Sequence, residues 1–303
     1  MIEDLLDQVS ADRIREHIRA LEGVRHPVTA PEALQQAADY IHGLLRSLSW
    51  QVELHPFTFD GREFQNIIAT RLGVRHPDKR VLVIAHYDTV EDSPGADDNA
   101  SSVAVLLELA RVLQAVELDR TVQLVAVNLE ERQQEGSLDE AALFGSRALA
   151  SDAEKQGWEI EGVVVLDTIA YAGKEVVQAT PDGLPIKLPE VGDFIGVIGN
   201  EASSGLVTAF VQAVGRYQIP LPVLPLVVPG NGEMLSDTRR SDHAPFWDRG
   251  YRAIMLTDTA NFRSPHYHKP SDTLDTINIP FTAEVCRALA ATVVELAGYA
   301  PTP

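Results

Sequence analysis

The stretch Arg80-Val81-Leu82-Val83-Ile84-Ala85-His86-Tyr87-Asp88 decides the architecture of this chain. Val81 to Ala85 is an unbroken apolar run rich in β-branched residues, with no polar position left to face water, so it reads as a strand covered on both faces. Strands of that kind belong to largely parallel sheets whose crossover helices lie on either side, and the neighbouring sequence agrees. Downstream come an Asp- and Gly-rich loop, a helix over about 101–115, a strand at 121–128, a helix near 146–155 and a strand at 162–166. Upstream, 51–57 and 65–71 are short β-rich runs, and 11–48 has helical spacing broken near 25–29, a break and two helices that suggest no chemistry of their own. Between 172 and 240, Pro and Gly cluster around one strand-like run (194–198) and one helix (202–217). A strand at 253–256 and a helix at 282–297 close the chain. The pattern predicts an α/β fold with a central mixed, mainly parallel β-sheet flanked by helices. It is read as a single domain over 1–303 with a Pro/Gly-rich elaboration around 172–240.

The 303 residues are enough to bury a large core without disulfides, and 45% of them are hydrophobic. Against 25 Lys and Arg stand 44 Asp and Glu, a formal charge of −19 with a pI near 4.8. A field of that sign repels phosphate backbones and anionic lipids, so neither nucleic acid nor a membrane is an expected partner. The single cysteine, Cys286, rules out an intramolecular disulfide and Cys-rich zinc modules, and reads as a small buried side chain in the last helix. Residues 1–21 intersperse Glu3, Asp4, Asp7, Asp12, Arg13 and Glu16 among apolar positions. That is the pattern of neither a secretory leader nor a span, and the expected location is cytoplasmic.

Ligands of an open α/β sheet bind beyond the carboxyl ends of its strands. Here those positions are acidic and histidine-bearing: His86 and Asp88 after the first buried strand, Asp97, Asp98 and Asn99 in the following loop, Glu130-Glu131 after the next, Asp167 after the third. Far downstream, His266 and His268 sit in Ser-Pro-His-Tyr-His-Lys-Pro. Each alone has an ordinary explanation. His-x-Asp can be a satisfied hydrogen-bonded pair, Asp97-Asp98 a helix cap, Glu130-Glu131 a solvated loop, and His268 a surface histidine. Their convergence on successive strand ends has none, because uncompensated carboxylates repel one another. A multivalent cation removes the repulsion, and mixed His and carboxylate donors suit zinc, with cobalt or manganese as substitutes. Two zinc ions balance three ligand carboxylates and one hydroxide, which favours a two-metal site. Paired glutamates then supply one group for the metal and a neighbour free to move a proton.

In these motifs the chain resembles the co-catalytic di-zinc aminopeptidase family, the zinc peptidases that include glutaminyl cyclases and transferrin-receptor-like relatives. The resemblance rests on Ala85-His86-Tyr87-Asp88-Thr89-Val90, Gly95-Ala96-Asp97-Asp98-Asn99-Ala100-Ser101-Ser102, Glu130-Glu131 and Tyr267-His268-Lys269-Pro270-Ser271-Asp272-Thr273, all in family order. It implies the three-layer zinc-exopeptidase fold, with His86 and Asp167 on one zinc, Glu131 and His268 on the other and Asp98 bridging. It further implies Glu130 as general base, Asp88 as the carboxylate that orients His86, Tyr267 as an oxyanion donor, and a cis peptide at Asp98-Asn99. Ser241-Asp242-His243 resembles a motif that supports such sites, and His266 is read as a supporting or surface residue. In one respect the chain departs from the pattern: a polar stretch, 132–142, separates the paired glutamates from the Gly145-Ser146 helix start, and is expected at the rim of the cleft.

The resulting expectation is a metal-dependent exopeptidase removing N-terminal residues from peptides, with a zinc-activated hydroxide as nucleophile. A di-zinc carboxypeptidase or N-acyl deacylase is the alternative, although such enzymes usually insert a dimerisation domain before the last ligand. A glutaminyl cyclase makes fewer demands on the metal, and a non-catalytic binding protein on the same fold would not need Glu130. The sequence gives no oligomeric state and no preferred N-terminal residue.

Overall fold

The computed structural model describes residues 2–131, 142–184 and 186–299. Its strands are β1 (Gln51–Phe59), β2 (Arg62–Arg71), β3 (His76–His86), β4 (Arg120–Val127), β5 (Glu159–Leu166), β6 (Ile195–Asn200), β7 (Val223–Val228) and β8 (Ala253–Thr257). They form one sheet in the order β1-β2-β4-β3-β5-β8-β6-β7. The central pairs β4/β3, β3/β5 and β5/β8 are parallel, as is β6/β7, whereas β1/β2, β2/β4 and β6/β8 are antiparallel. The sheet is therefore mixed with a parallel centre, as the apolar run of β3 predicts.

The helices are α1 (Ile2–Leu6), α2 (Ala11–Leu21), α3 (Pro31–Ser47), α4 (Ser102–Leu113), α5 (Phe144–Lys155), α6 (Ser204–Arg216), α7 (Ala244–Trp247) and α8 (Ile279–Ala297). Local sequence explains their ends. The Ser10 hydroxyl accepts from Arg13 N at the start of α2, Pro31 opens α3, and the Asn278 side chain accepts from Phe281 N at the start of α8. Between β1 and β2 the two-residue turn Asp60-Gly61 has positive φ at both positions, the backbone that suits a tight hairpin.

Alternate residues of each central strand point to opposite layers. Val81, Val83, Ala85, Val122, Leu124, Val164 and Leu166 meet α4 and α8 on one face, while Leu82, Ile84, Val125, Val163 and Val165 meet α5 and α7 on the other. Cys286 is buried within α8, in line with its reading as a core side chain. Beyond α7 the second face is open: Gly196 and Ile198 of β6, Leu224 and Leu226 of β7, and Met255 and Thr257 of β8 line a cleft of about 860 Å³. Three elements were not legible in the sequence. Helices α1 and α7 are too short to show a period, and β7 contains Pro225, which breaks a strand pattern but is tolerated on the edge strand that β7 forms. Among the described residues no helix is long and apolar enough to cross a membrane.

Candidate metal centre

Parallel strands β3, β4 and β5 end side by side, so the residues just past each end meet at one place. His86 is the last residue of β3, Glu130 and Glu131 follow β4, and Asp167 follows β5. Asp98 arrives from the turn 96–101 ahead of α4, and His268 from the loop after β8. The Asp98 carboxylate lies between the two imidazoles, with Oδ1 3.3 Å from His86 Nε2 and Oδ2 3.2 Å from His268 Nε2. Asp167 Oδ1 is 3.7 Å and Glu130 Oε2 3.9 Å from His86 Nε2, and Glu131 Oε2 is 3.2 Å from His268 Nε2. All the sequence-predicted ligand residues are thus brought together. His268 and Asp167 are the members most open to the cleft, with side-chain exposures of 35% and 17%.

The surroundings fix these groups through the backbone. Asp88 accepts from Glu130 N and Glu131 N at 3.1 and 3.2 Å and stands 3.5 Å from His86 Nδ1, so it holds the glutamate pair as well as the histidine. Asp272, inside the quoted Ser-Asp-Thr motif, accepts from Asp97 N and Asp98 N at 2.9 and 3.1 Å. Asn99 donates to Leu166 O and accepts from Thr168 N, bracketing Asp167. The Asp98-Asn99 peptide is cis, as the resemblance implies. Tyr267 stacks on His268 with ring centroids 3.8 Å apart, and its hydroxyl accepts from Arg240 Nη2 at 3.2 Å. His266 is far less involved: it faces Ser271 and packs edge-on against Tyr171. Asp242 is fully buried in the field of His86 and Asp167, while His243 bonds the Thr238 carbonyl and packs against Trp247.

So many acids in one place perturb each other. Burial, with the charges of Asp167, Glu131 and Asp242, raises Glu130 well above the ordinary carboxylate range, and His86 only partly offsets this. Burial and Asp98 raise Glu131 to about 7. Burial alone would also raise Asp98, but the imidazoles of His268 and His86 outweigh it and hold it far below. For His268, burial opposes the charge, yet Glu131 and Asp98 raise it to about 10.

His86 Nδ1 and Nε2 and His268 Nε2 are buried without a hydrogen bond. The donor atoms of His86, Asp98 and Glu131 lie within 4.8 Å of one another, as do those of His86, Glu130 and Asp167. Imidazole nitrogens without a hydrogen-bond partner, beside converging carboxylate oxygens, fit a divalent cation of borderline ligand preference. Of the stretch 132–142 expected at the rim, 132–141 lie outside the described residues, and Ala142 lines the cleft. Two contributors had no signal in the sequence reading: Asp258, whose buried carboxyl faces Asp97, and Arg25.

The profile of Peptidase family M28 matches residues 66–293. The uncharacterized protein YfbL of Escherichia coli (strain K12) is 32% identical over 288 residues, covering 91% of this chain and 85% of its own. A zinc aminopeptidase structure from Bacillus subtilis is 25% identical with a TM-score of 0.60, covering 78% of this chain and 51% of that one. The Macrostomum lignano glutaminyl cyclase structure, 22% identical, has a TM-score of 0.75 and covers 99% of this chain and 94% of that one.

Proposed function

This chain belongs to peptidase family M28, and from that premise we propose that it is a zinc-dependent aminopeptidase holding two zinc ions. His86 and Asp167 would hold one ion, Glu131 and His268 the other, with Asp98 shared. The observation that carries this reading is the Asp98 carboxylate, which offers one oxygen toward each of two imidazoles at 3.3 and 3.2 Å. A carboxylate so placed suits a bridge between two cations better than a single site. When bound, zinc there would supply Lewis-acid polarisation of the scissile carbonyl and a water acidic enough to serve as nucleophile near neutral pH.

The protein's own groups do the rest. Glu130, facing the cleft with Oε2 3.9 Å from His86 Nε2, accepts the proton of the attacking water and returns it to the departing amine. The Tyr267 hydroxyl, oriented by Arg240, donates to the oxygen on which negative charge develops. Carboxylates gathered at the mouth favour a free α-ammonium group over an acyl cap, which lacks the charge and adds bulk. The floor of the cleft, with Ile198, Leu224, Leu226 and Met255 beyond Asp167 and Thr168, supports a preference for an apolar N-terminal side chain.

The test compares leucyl and alanyl amides with their N-acetyl forms in the presence of zinc. The free-amine series is expected to be cleaved and the acetylated series to be left nearly intact. Faster hydrolysis of the acetylated series overturns the aminopeptidase reading in favour of a deacylase. Elemental analysis is expected to return two zinc ions per chain, and one or none would refute the paired site.

A further inference from the structure

Arg25 lies in the break between α2 and α3, far in sequence from every candidate ligand, and is 2% exposed. Its guanidinium makes no direct pair with any carboxylate among the described residues; every hydrogen bond it donates goes to a backbone carbonyl. Nε donates to Tyr87 O at 2.8 Å, Nη1 to Leu21 O, to Gly23 O at 2.7 Å and to Pro94 O at 3.0 Å, and Nη2 to Gly95 O at 3.1 Å. Its backbone joins the same cluster, since Arg25 N donates to Thr89 Oγ1 at 2.8 Å and Thr89 N donates to Arg25 O at 3.3 Å. Burial pushes the guanidinium down to about 10 against the opposing fields of Asp88, Asp272 and Asp98, so it stays charged at neutral pH.

The carbonyls it gathers are not arbitrary. Tyr87 sits between His86 and Asp88, and Pro94 and Gly95 open the turn that delivers Asp98. Gly95 is at φ 59°, and a Cβ there would come within 3.0 Å of the guanidinium, within 2.5 Å of Thr89 and within 2.2 Å of Asp98 O. The chain at this point is pressed against Arg25 as closely as the absence of a side chain permits.

We propose that Arg25 is a positioning residue of the metal centre: by tying Tyr87, Pro94 and Gly95 to the end of α2, it sets the distance between the His86-Asp88 strand end and the turn that presents Asp98. The inference rests on the zinc reading above and adds to it a residue that touches neither metal nor substrate. The planar fork is what the role requires. A lysine keeps the charge but presents a single ammonium with three donors, which cannot span carbonyls on two sides of the loop.

The experiment measures zinc affinity by chelator competition on purified parent, Arg25→Lys and Arg25→Met, alongside melting temperatures of the zinc-loaded and chelated forms. Groups that orient metal ligands typically change affinity about 10–100-fold when removed. Arg25→Lys is expected to bind zinc about 10-fold or more weakly, with a smaller gap between the zinc-loaded and chelated melting temperatures. A residue that merely stabilised the fold would lower both melting temperatures together and leave the gap and the affinity unchanged. Folded Arg25→Lys with zinc affinity within about twofold of the parent overturns the proposal. So does a normal Arg25→Lys beside an altered Arg25→Met, because charge rather than geometry would then be the cause. Should neither arginine variant fold, Thr89→Val, which removes the bond from Arg25 N that seats the arginine against the loop, is measured instead, and its zinc affinity decides by the same criterion. A parent protein that binds no zinc would refute the zinc reading itself, separately from this inference.

Discussion

Asp88 receives the N–H groups of Glu130 and Glu131 on its two carboxylate oxygens, so the adjacent glutamates enter the site from one fixed stretch of backbone and diverge. Glu131 turns to His268, Glu130 toward His86. Replacing Glu130 by Gln is expected to leave zinc content unchanged and lower turnover about 10²-fold or more, the usual loss for a general base. Glu131→Gln is expected instead to lower zinc content or affinity, read by elemental analysis. Near-normal turnover in both variants would overturn the assigned roles. For Tyr267→Phe the expected result is a fall in kcat of roughly 10²-fold with KM little changed, because an oxyanion donor acts mainly in the transition state. An unchanged kcat would remove Tyr267 from the mechanism. The residues brought together here were legible in the sequence because each follows an apolar strand or sits in a compact motif. Arg25 and Asp258 were not. They act through contacts to carbonyls or to another carboxyl on segments remote in sequence, and such contacts leave no spacing to read.

The junction of β4 with α5 shows how an element carries the site. Leu143 N donates to Glu130 O, Phe144 N to Leu129 O and Gly145 N to Asn128 O, so the chain returns beside the glutamates and pairs with the segment it left. Gly145 makes the approach possible, since a Cβ there would fall 2.3 Å from Asn128 O and 2.4 Å from Asn66 Oδ1. Asn66 in turn donates to Gly145 O and accepts from Asn128 N. Gly145→Ala is expected to push α5 off the strand end, costing about 1–3 kcal/mol of stability for the overpacked contact. Activity should fall further than that destabilisation explains, as Glu130 shifts with its backbone; a variant with parental kcat and melting temperature would show the junction to be tolerant. The sequence announced α5 by its Gly-Ser start but gave no sign that this start closes a ladder with residues 128–130. At the opposite end of the sheet, β7 escaped notice for a comparable reason: its Pro225 is compatible with a strand only because that strand lies at the edge, which is a property of the assembled sheet.

For the molecule as a whole, the gathered acids make stability depend on pH in an unusual sense once zinc is chelated. Burial would lower His268, but Glu131 and Asp98 raise it to about 10, and His86 is raised well above its ordinary value by Glu130, Asp167, Asp88 and Asp98. A histidine raised on folding contributes stability that is complete below its ordinary value and is lost as pH climbs toward the folded one. Glu130, also raised, is held protonated more strongly in the fold than in the open chain and works in the same direction. The lowered histidines His17, His26 and His243 act only below the ordinary 6.5. The chelated protein is therefore expected to melt at a lower temperature at about pH 8.5 than at about pH 7, and the zinc-loaded protein to change less. An equal or higher melting temperature at the alkaline value would contradict this. The strand order has a further consequence, in the order of events during folding. Strand β8 comes last in the chain yet lies between β5 and β6, and the β6/β7 pair joins the rest of the sheet only through it. His268 lies beyond β8 as well. A chain emerging from the ribosome can pair β1 to β5 early, but the sheet closes and the last of the proposed metal ligands arrives only when the same late segment is in place. Zinc uptake during refolding should accordingly follow the slowest phase, not the collapse, so that a bound metal marks a finished chain, and a fragment cut ahead of β8 keeps His86, Asp98, Glu131 and Asp167 with nothing to complete them.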